Sequence, residues 1–354
     1  SAFHIRLKNE SVLYNWRGPQ GSLFFYCIYG GRNVRFKIMF EWLSWILLSL
    51  VMFSGGMYVA FAAPFLIVIA PLPFMVLGIR QGFRESLLGV MFGSASALMM
   101  FGYLPAFMYA LEFGVLGAVF GYVARRVEKG VDFVLISVAA SIIAKMILIM
   151  AFTAVSGMNP VAMSPETAEE IVSSLAKALS SGGIGTSEEV IKNYSLAMVE
   201  TVSLLMPSMI IFFSAIDTFA TYGAASYIMR MTGWGALAAL PGFGTWRFPR
   251  NLFWALAAAV IMDLAGKAFP DERVYMVISA NLMEVLRAIF MVEGLSLCWY
   301  YMTYRGIPKA VKVPVSLFGA LFSPVSYILS MVGIFDIWYD LRARIRRKNN
   351  ESDS

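Results

Sequence analysis

Ionisable side chains break the apolar runs of this sequence at a few points, and each is a candidate for chemistry. Glu112, Lys145 and Asp217 each fall midway along a long hydrophobic segment, and Asp263 lies in the second half of a later one. Asn281, Glu284 and Arg287 follow at i, i+3 and i+6 of one segment, with Glu293 further on. A charged group at the centre of a bilayer is unfavourable by at least about 2.5–3.5 kcal/mol, so its presence points to a ligand, a pathway or a partner charge. Glu112, Lys145 and Asp217 can line a polar cavity that binds a small solute, with Thr218, Thr221 and Tyr222 on neighbouring helical positions of Asp217. They can equally neutralise one another, Glu112 with Lys145 between adjacent helices. Glu284 and Arg287 can do the same along one helix face. Asp263, Asn281, Glu284 and Arg287 therefore stand as structural or pathway polar residues.

Catalysis finds few of its usual parts. His4 is the only histidine, which excludes an internal catalytic imidazole and any cluster of histidine metal ligands. Cys27 and Cys298 are far apart and neither belongs to a CxxC motif, so no disulfide framework, metal site or cofactor is expected. Asp217 and Asp263 could suggest an intramembrane aspartyl protease. However, Ile261-Met262-Asp263-Leu264 lacks the Gly-x-Gly-Asp pattern that reading needs. Neither a zinc-protease HExxH, a phosphate-binding Walker loop nor a GxSxG nucleophile elbow is present, and the expectation is a protein that is not an enzyme.

The elements that must hold these residues are membrane helices. The chain is 59% hydrophobic and 14% charged, with a mean hydropathy of +0.71. Apolar runs of about 20 residues recur, the length that spans a bilayer. The net charge of +6 comes from cations in short loops and at the two ends, a positive-inside distribution with no nucleic-acid patch. The fold class expected is all-α: a polytopic membrane bundle of about eight transmembrane helices plus a C-terminal re-entrant hairpin.

In chain order, residues 1–37 form a basic cytoplasmic arm without the apolar core of a signal peptide. Residues 38–230 form a six-helix unit interrupted by Pro64, Pro71 and Pro73 in its second segment, with an acidic external connection over 157–200 that is either a lid or a passive link. Gly89-x-x-x-Gly93, Gly114-x-x-x-Ala118 and Gly117-x-x-x-Gly121 let backbones approach closely, inside the chain or at a partner. Residues 231–251 form an ordered cytoplasmic loop, whose stretch Pro241 to Trp254 carries the interfacial Trp246, Arg247 and Arg250, with Asn251 placed to cap the next helix. Residues 252–340 add further membrane helices. Pro324 divides Val313–Trp338 into two pieces, each too short to span, and a re-entrant hairpin there returns the basic tail 341–354 to the cytoplasmic side; the competing reading is a ninth crossing with that tail outside.

Several of these pieces occur together in a known family. Ala70-Pro71-Leu72-Pro73 with Leu77-Gly78-Ile79-Arg80-Gln81-Gly82, Ser156-Gly157-Met158-Asn159-Pro160, Trp246-Arg247-Phe248-Pro249-Arg250 and the terminal Gly333 to Arg342 stand in the family's order. By these the chain resembles the YybS-type family of bacterial membrane proteins over about residues 40–345. The resemblance implies a distant similarity of the first six helices to the substrate-binding S components of energy-coupling factor transporters. It further implies small-solute capture, with Gly-rich helix faces meeting energy-coupling transporter subunits. Two departures from the S-component pattern are the extra C-terminal segments and the lack of a His-rich N-terminus.

The expectation is a multi-pass protein of a bacterial cytoplasmic (inner) membrane, both termini cytoplasmic. It would bind a small-molecule solute and membrane lipid, with no nucleic-acid partner. The alternative is a non-catalytic membrane scaffold whose arm, Arg247/Arg250 loop and basic tail dock partners or anionic lipid.

Overall fold

In hydrocarbon every backbone N–H and C=O must be bonded within the protein, which favours helices wherever the apolar runs lie. The computed structural model describes residues 32–157, 169, 172–173, 188–269 and 273–344, and among these no strand forms. Residues 1–31 of the arm, most of the acidic connection, Asp271-Glu272 and the tail beyond Arg344 lie outside the described residues.

The first helix, α1, is Arg32–Tyr58, starting inside the stretch expected to be the arm. Two short helices follow, α2 (Ala63–Val68) and α3 (Leu72–Arg80). The break between them carries Pro71, and Pro73 occupies the first turn of α3, where a missing N–H leaves no bond unmade. Helix α4 is Phe83–Phe101. The next span is one helical run of three parts: α5 (Tyr103–Met108), a π-helical turn (Tyr109–Val115) and α6 (Leu116–Arg126). Helix α7 (Gly130–Ser156) leads to the acidic connection, and α8 (Glu188–Met231) returns across 44 residues. After the loop come α9 (Leu252–Ala268), α10 (Arg273–Tyr304), α11 (Lys309–Leu321) and α12 (Ser323–Tyr339).

Among the described residues six helices are long and apolar enough to cross a membrane: α1, the α2–α3 pair, the α5–α6 run, α7, α8 and α10. The α11–α12 pair makes a seventh if it counts as one broken span. The expected eight crossings included α4 and α9, which are not among the six; α9 has only 17 residues. The C-terminal stretch forms two helices bent by 99° at Phe322, the geometry of either one broken span or the expected re-entrant segment. Ser323 and Pro324 start the second helix, because a proline is tolerated in a first turn.

Glycine faces close the packing. A Cβ on Gly121 would meet the Met75 carbonyl oxygen at 2.7 Å, so α6 lies directly on α3. Gly89 packs on Leu77 and Phe74 of α3, and Gly93 lies under the Tyr109 ring. These small-residue positions pack against neighbouring helices of the same chain. Phe74, Leu77, Tyr109 and Phe113 form one core, and Met75, Phe120, Phe133 and Ala225 a second. A third, with Ala259, Leu286 and Phe290, joins α9 to α10. Outward positions such as Met99 and Phe61 keep more than four-fifths of their surface exposed, as lipid-facing residues do.

Candidate functional site

Glu112, Lys145 and Asp217 come from three different helices and meet in the first half of the molecule. The π turn places Glu112 on the side facing α7, at a register that a regular α-helix would not give; such turns are frequent at functional sites. Lys145 Nζ lies 2.5 Å from Asp217 Oδ2 and 3.6 Å from Glu112 Oε2. Ser141, one turn before Lys145, accepts from the ammonium at 2.8 Å and donates to Asp217 Oδ2 at 2.8 Å. Thr218 donates to Asp217 Oδ1 at 3.3 Å. Two carboxylates thus share one ammonium, a net charge of −1 when all three are ionised.

Above and below this centre the facing helices are lined with hydroxyls. Ser137, Ser141 and Lys145 recur every fourth residue on α7, opposite Ser214, Asp217, Thr218 and Thr221 on α8. Ser137, Ser214 and Thr221 are fully buried. Their hydroxyl oxygens, and Glu112 Oε1, have no hydrogen-bond partner among the described residues. Tyr222 lies apart from them and donates to the Ala238 carbonyl at 2.8 Å.

The other predicted polar residues do not join this centre. Asp263 pairs with Lys267 one turn on at 2.7 Å, the lysine exposed and the aspartate half-buried. Glu284 and Arg287 pair with each other at 2.5 Å, with the Arg287 guanidinium 4.9 Å over the Tyr327 ring. Asn281 has a structural task that its position in the sequence did not reveal. Pro207 disturbs the backbone ladder of α8. Across the interface Asn281 accepts from Ser208 N at 2.8 Å and donates to the Leu204 carbonyl at 2.7 Å, serving the backbone groups of that turn.

A second ionic centre went unread in the sequence. Arg342, grouped there with the basic tail, is 2% exposed. Its Nε donates to Asp336 at 2.9 Å, one terminal nitrogen to the Gly244 carbonyl at 2.9 Å, and the other to Glu293 at 3.0 Å and Ser296 at 3.1 Å. Phe248 N donates to the second Glu293 oxygen at 2.9 Å, and Ser296 donates to the carbonyls of Phe243 and Trp246 at 2.7 and 3.1 Å. The signal available was Asp336, an acid inside the last apolar run, six residues before Arg342.

These bonds hold the loop between α8 and α9. Trp246 packs on Phe219 and Phe243 at centroid distances of 5.6 and 5.2 Å, and its indole donates to the Pro241 carbonyl at 2.9 Å. Arg247 pairs with Asp340 at 2.5 Å, half exposed, and that hydrogen bond raises its already high pKa. Arg250 is exposed. Asn251 does not cap α9: its backbone is already helical and its side chain makes no capping bond. Upstream, the loop's start touches the first unit, where Arg80 lies 4.0 Å over the Trp234 ring and pairs with Glu41 at 2.8 Å. Among the described residues no group of acids, cysteines or histidines could hold a metal ion.

Comparison with known proteins follows the same extent. A family model described as "Predicted membrane protein (DUF2232)" matches residues 47–337. The curated "Uncharacterized protein YybS" of Bacillus subtilis (strain 168) is 24% identical over 299 residues, covering 82% of this chain and 92% of that protein. No solved structure matches, so no comparison carries the expected likeness to S components.

Proposed function

We propose, from the premise that the chain belongs to the predicted membrane protein family DUF2232, that it binds a small cationic solute within the bilayer and passes it across. The observation that carries this reading is Glu112 Oε1, a buried carboxylate oxygen with no hydrogen-bond partner among the described residues, beside an ammonium already engaged by Asp217. A buried acceptor left unpaired is unfavourable, and a positively charged donor fits it best. A cation entering here would take up the surplus negative charge, while Lys145 stays with Asp217 and Ser141. The hydroxyls of Ser137, Ser214 and Thr221 supply neutral contacts along the α7–α8 seam. An anionic solute is disfavoured, since two carboxylates face one cation.

The test is the thermal stability of the purified protein titrated with methylammonium, sodium or potassium chloride against choline chloride at equal ionic strength. Stabilisation by one of the three in wild type and Glu112→Asp, lost in Glu112→Gln, is the expected result. No cation-specific shift in wild type, or an unchanged shift in Glu112→Gln, would falsify the reading.

A second reading, a membrane scaffold, rests on the pinned loop. Arg250 and Trp254, the latter 73% exposed, flank Asn251 where the loop meets α9 and are available to a partner. Pull-down from detergent separates the two: co-purifying transporter subunits favour transport, envelope or division proteins favour the scaffold.

A further inference from the structure

Beside the second ionic centre lies an apolar groove of about 610 Å³ between α10, α11 and the residues after α12. That size falls in the range of ligand-holding clefts, about 300–1,000 Å³. Leu297 and Met302 of α10, Val315 of α11 and Leu341 form its walls, and Tyr301 and Arg344 line its edge. The Arg344 guanidinium lies 5.6 Å over the Tyr339 ring. Arg305 donates through Nε to the Tyr301 hydroxyl at 3.0 Å, which brings a second guanidinium to the same edge.

Neither cation has a carboxylate partner among the described residues, whereas Arg247, Arg287 and Arg342 each do. Lys312, close by, is already engaged: it is buried, donates to Thr303 at 3.0 Å and lies 5.5 Å over the Trp299 ring. The span that carries the groove, Val274–Tyr304, ends one residue before Arg305. Leu297 lies about two turns deeper along α10, roughly 11 Å at 1.5 Å per residue. The groove is therefore apolar at acyl-chain depth and cationic at headgroup depth.

We propose that this groove holds one acyl chain of an anionic phospholipid whose phosphate is taken by Arg344 and Arg305. A guanidinium presents paired N–H donors that match phosphate oxygens two at a time. Each cation near a membrane surface favours an anionic lipid by about fivefold, the equivalent of about 1 kcal/mol. An uncharged apolar groove would take any lipid tail, so charge preference is the property that marks this site. The proposal stands apart from cation binding at Glu112, because it uses none of the same residues.

The experiment is native mass spectrometry of the full chain in detergent, titrated with phosphatidylglycerol or with phosphatidylcholine of matched chains. Wild type should retain the anionic lipid at least about fivefold more. Arg305→Gln/Arg344→Gln should lose that preference, and Arg305→Lys/Arg344→Lys should keep most of it. Both positions are exposed, so the variants should melt close to wild type. Equal retention of the two lipids by wild type, or an intact preference in the glutamine variant, overturns the proposal. Displacement of the bound lipid by inorganic phosphate alone also overturns it, since the site would then belong to a free anion.

Discussion

Arg342 and Glu293 are 49 residues apart in sequence and 3.0 Å apart in space, both almost wholly buried. With Asp336 on the other side of the guanidinium, they join α10, α12 and the loop before α9 into one block. A buried pair of this kind is weak evidence for net stability but strong evidence for what happens when one partner is removed.

Arg342→Met should therefore destabilise by about 3–5 kcal/mol, because Glu293 and Asp336 are left as uncompensated buried acids. A detergent melt followed by tryptophan fluorescence would show it. Adding Glu293→Gln and Asp336→Asn to the same chain should recover a large part of the loss. If the triple variant melts no higher than the single, the ionic account is wrong.

By contrast, Arg247→Gln should be nearly silent. Arg247 and Asp340 sit at the surface, and an exposed pair is worth about 0–1 kcal/mol and less in salt. A change larger than that, or one that persists at high salt, would mean the pair is shielded.

At the first centre the order of effects is diagnostic. Lys145→Met leaves Glu112 and Asp217 without their shared cation, whereas Asp217→Asn leaves Lys145 still facing Glu112 at 3.6 Å. The lysine variant should lose about 3–5 kcal/mol and the asparagine variant clearly less. Equal melting temperatures for the two would argue against a shared ammonium.

Where α10 and α12 cross, their backbones touch. A Cβ on Gly333 would collide with the Phe290 carbonyl, and one on Gly294 with that of Leu329. Gly333→Val should force the helices apart and yield protein that is aggregated on size exclusion or melts several degrees lower. Gly56→Val, on α1 with open space beside it, is the control and should elute normally.

How much of this could be read beforehand depends on how local the cause is. That Glu112, Lys145 and Asp217 belong together was legible, because a charge in an apolar run has to find an opposite charge and few are available. The turn that aims Glu112 was not, since one extra residue in a helical turn leaves no compositional trace. Arg342 was concealed by its neighbours: among Arg344, Arg346, Arg347 and Lys348 it looks like one more solvated tail residue, and its partners lie 6, 46, 49 and 98 positions away. Asn281 was visible as a polar residue in an apolar run, but its service to the Pro207 turn depends on which helix lies opposite. Among the described residues α4 and α9 fall outside the helices with spanning length and composition, a threshold that the apolar pattern alone does not reveal.

The loop from Pro241 to Arg250 leaves the ribosome 98 residues ahead of the arginine that will hold Gly244. At about 5–20 residues per second, that is a wait of roughly 5–20 s in which the segment is synthesised but unfastened. Until Arg342 arrives, Glu293 lacks its counter-charge. Stop codons or frameshifts between α10 and Arg342 should then act as degradation signals, removing nearly complete chains before they accumulate.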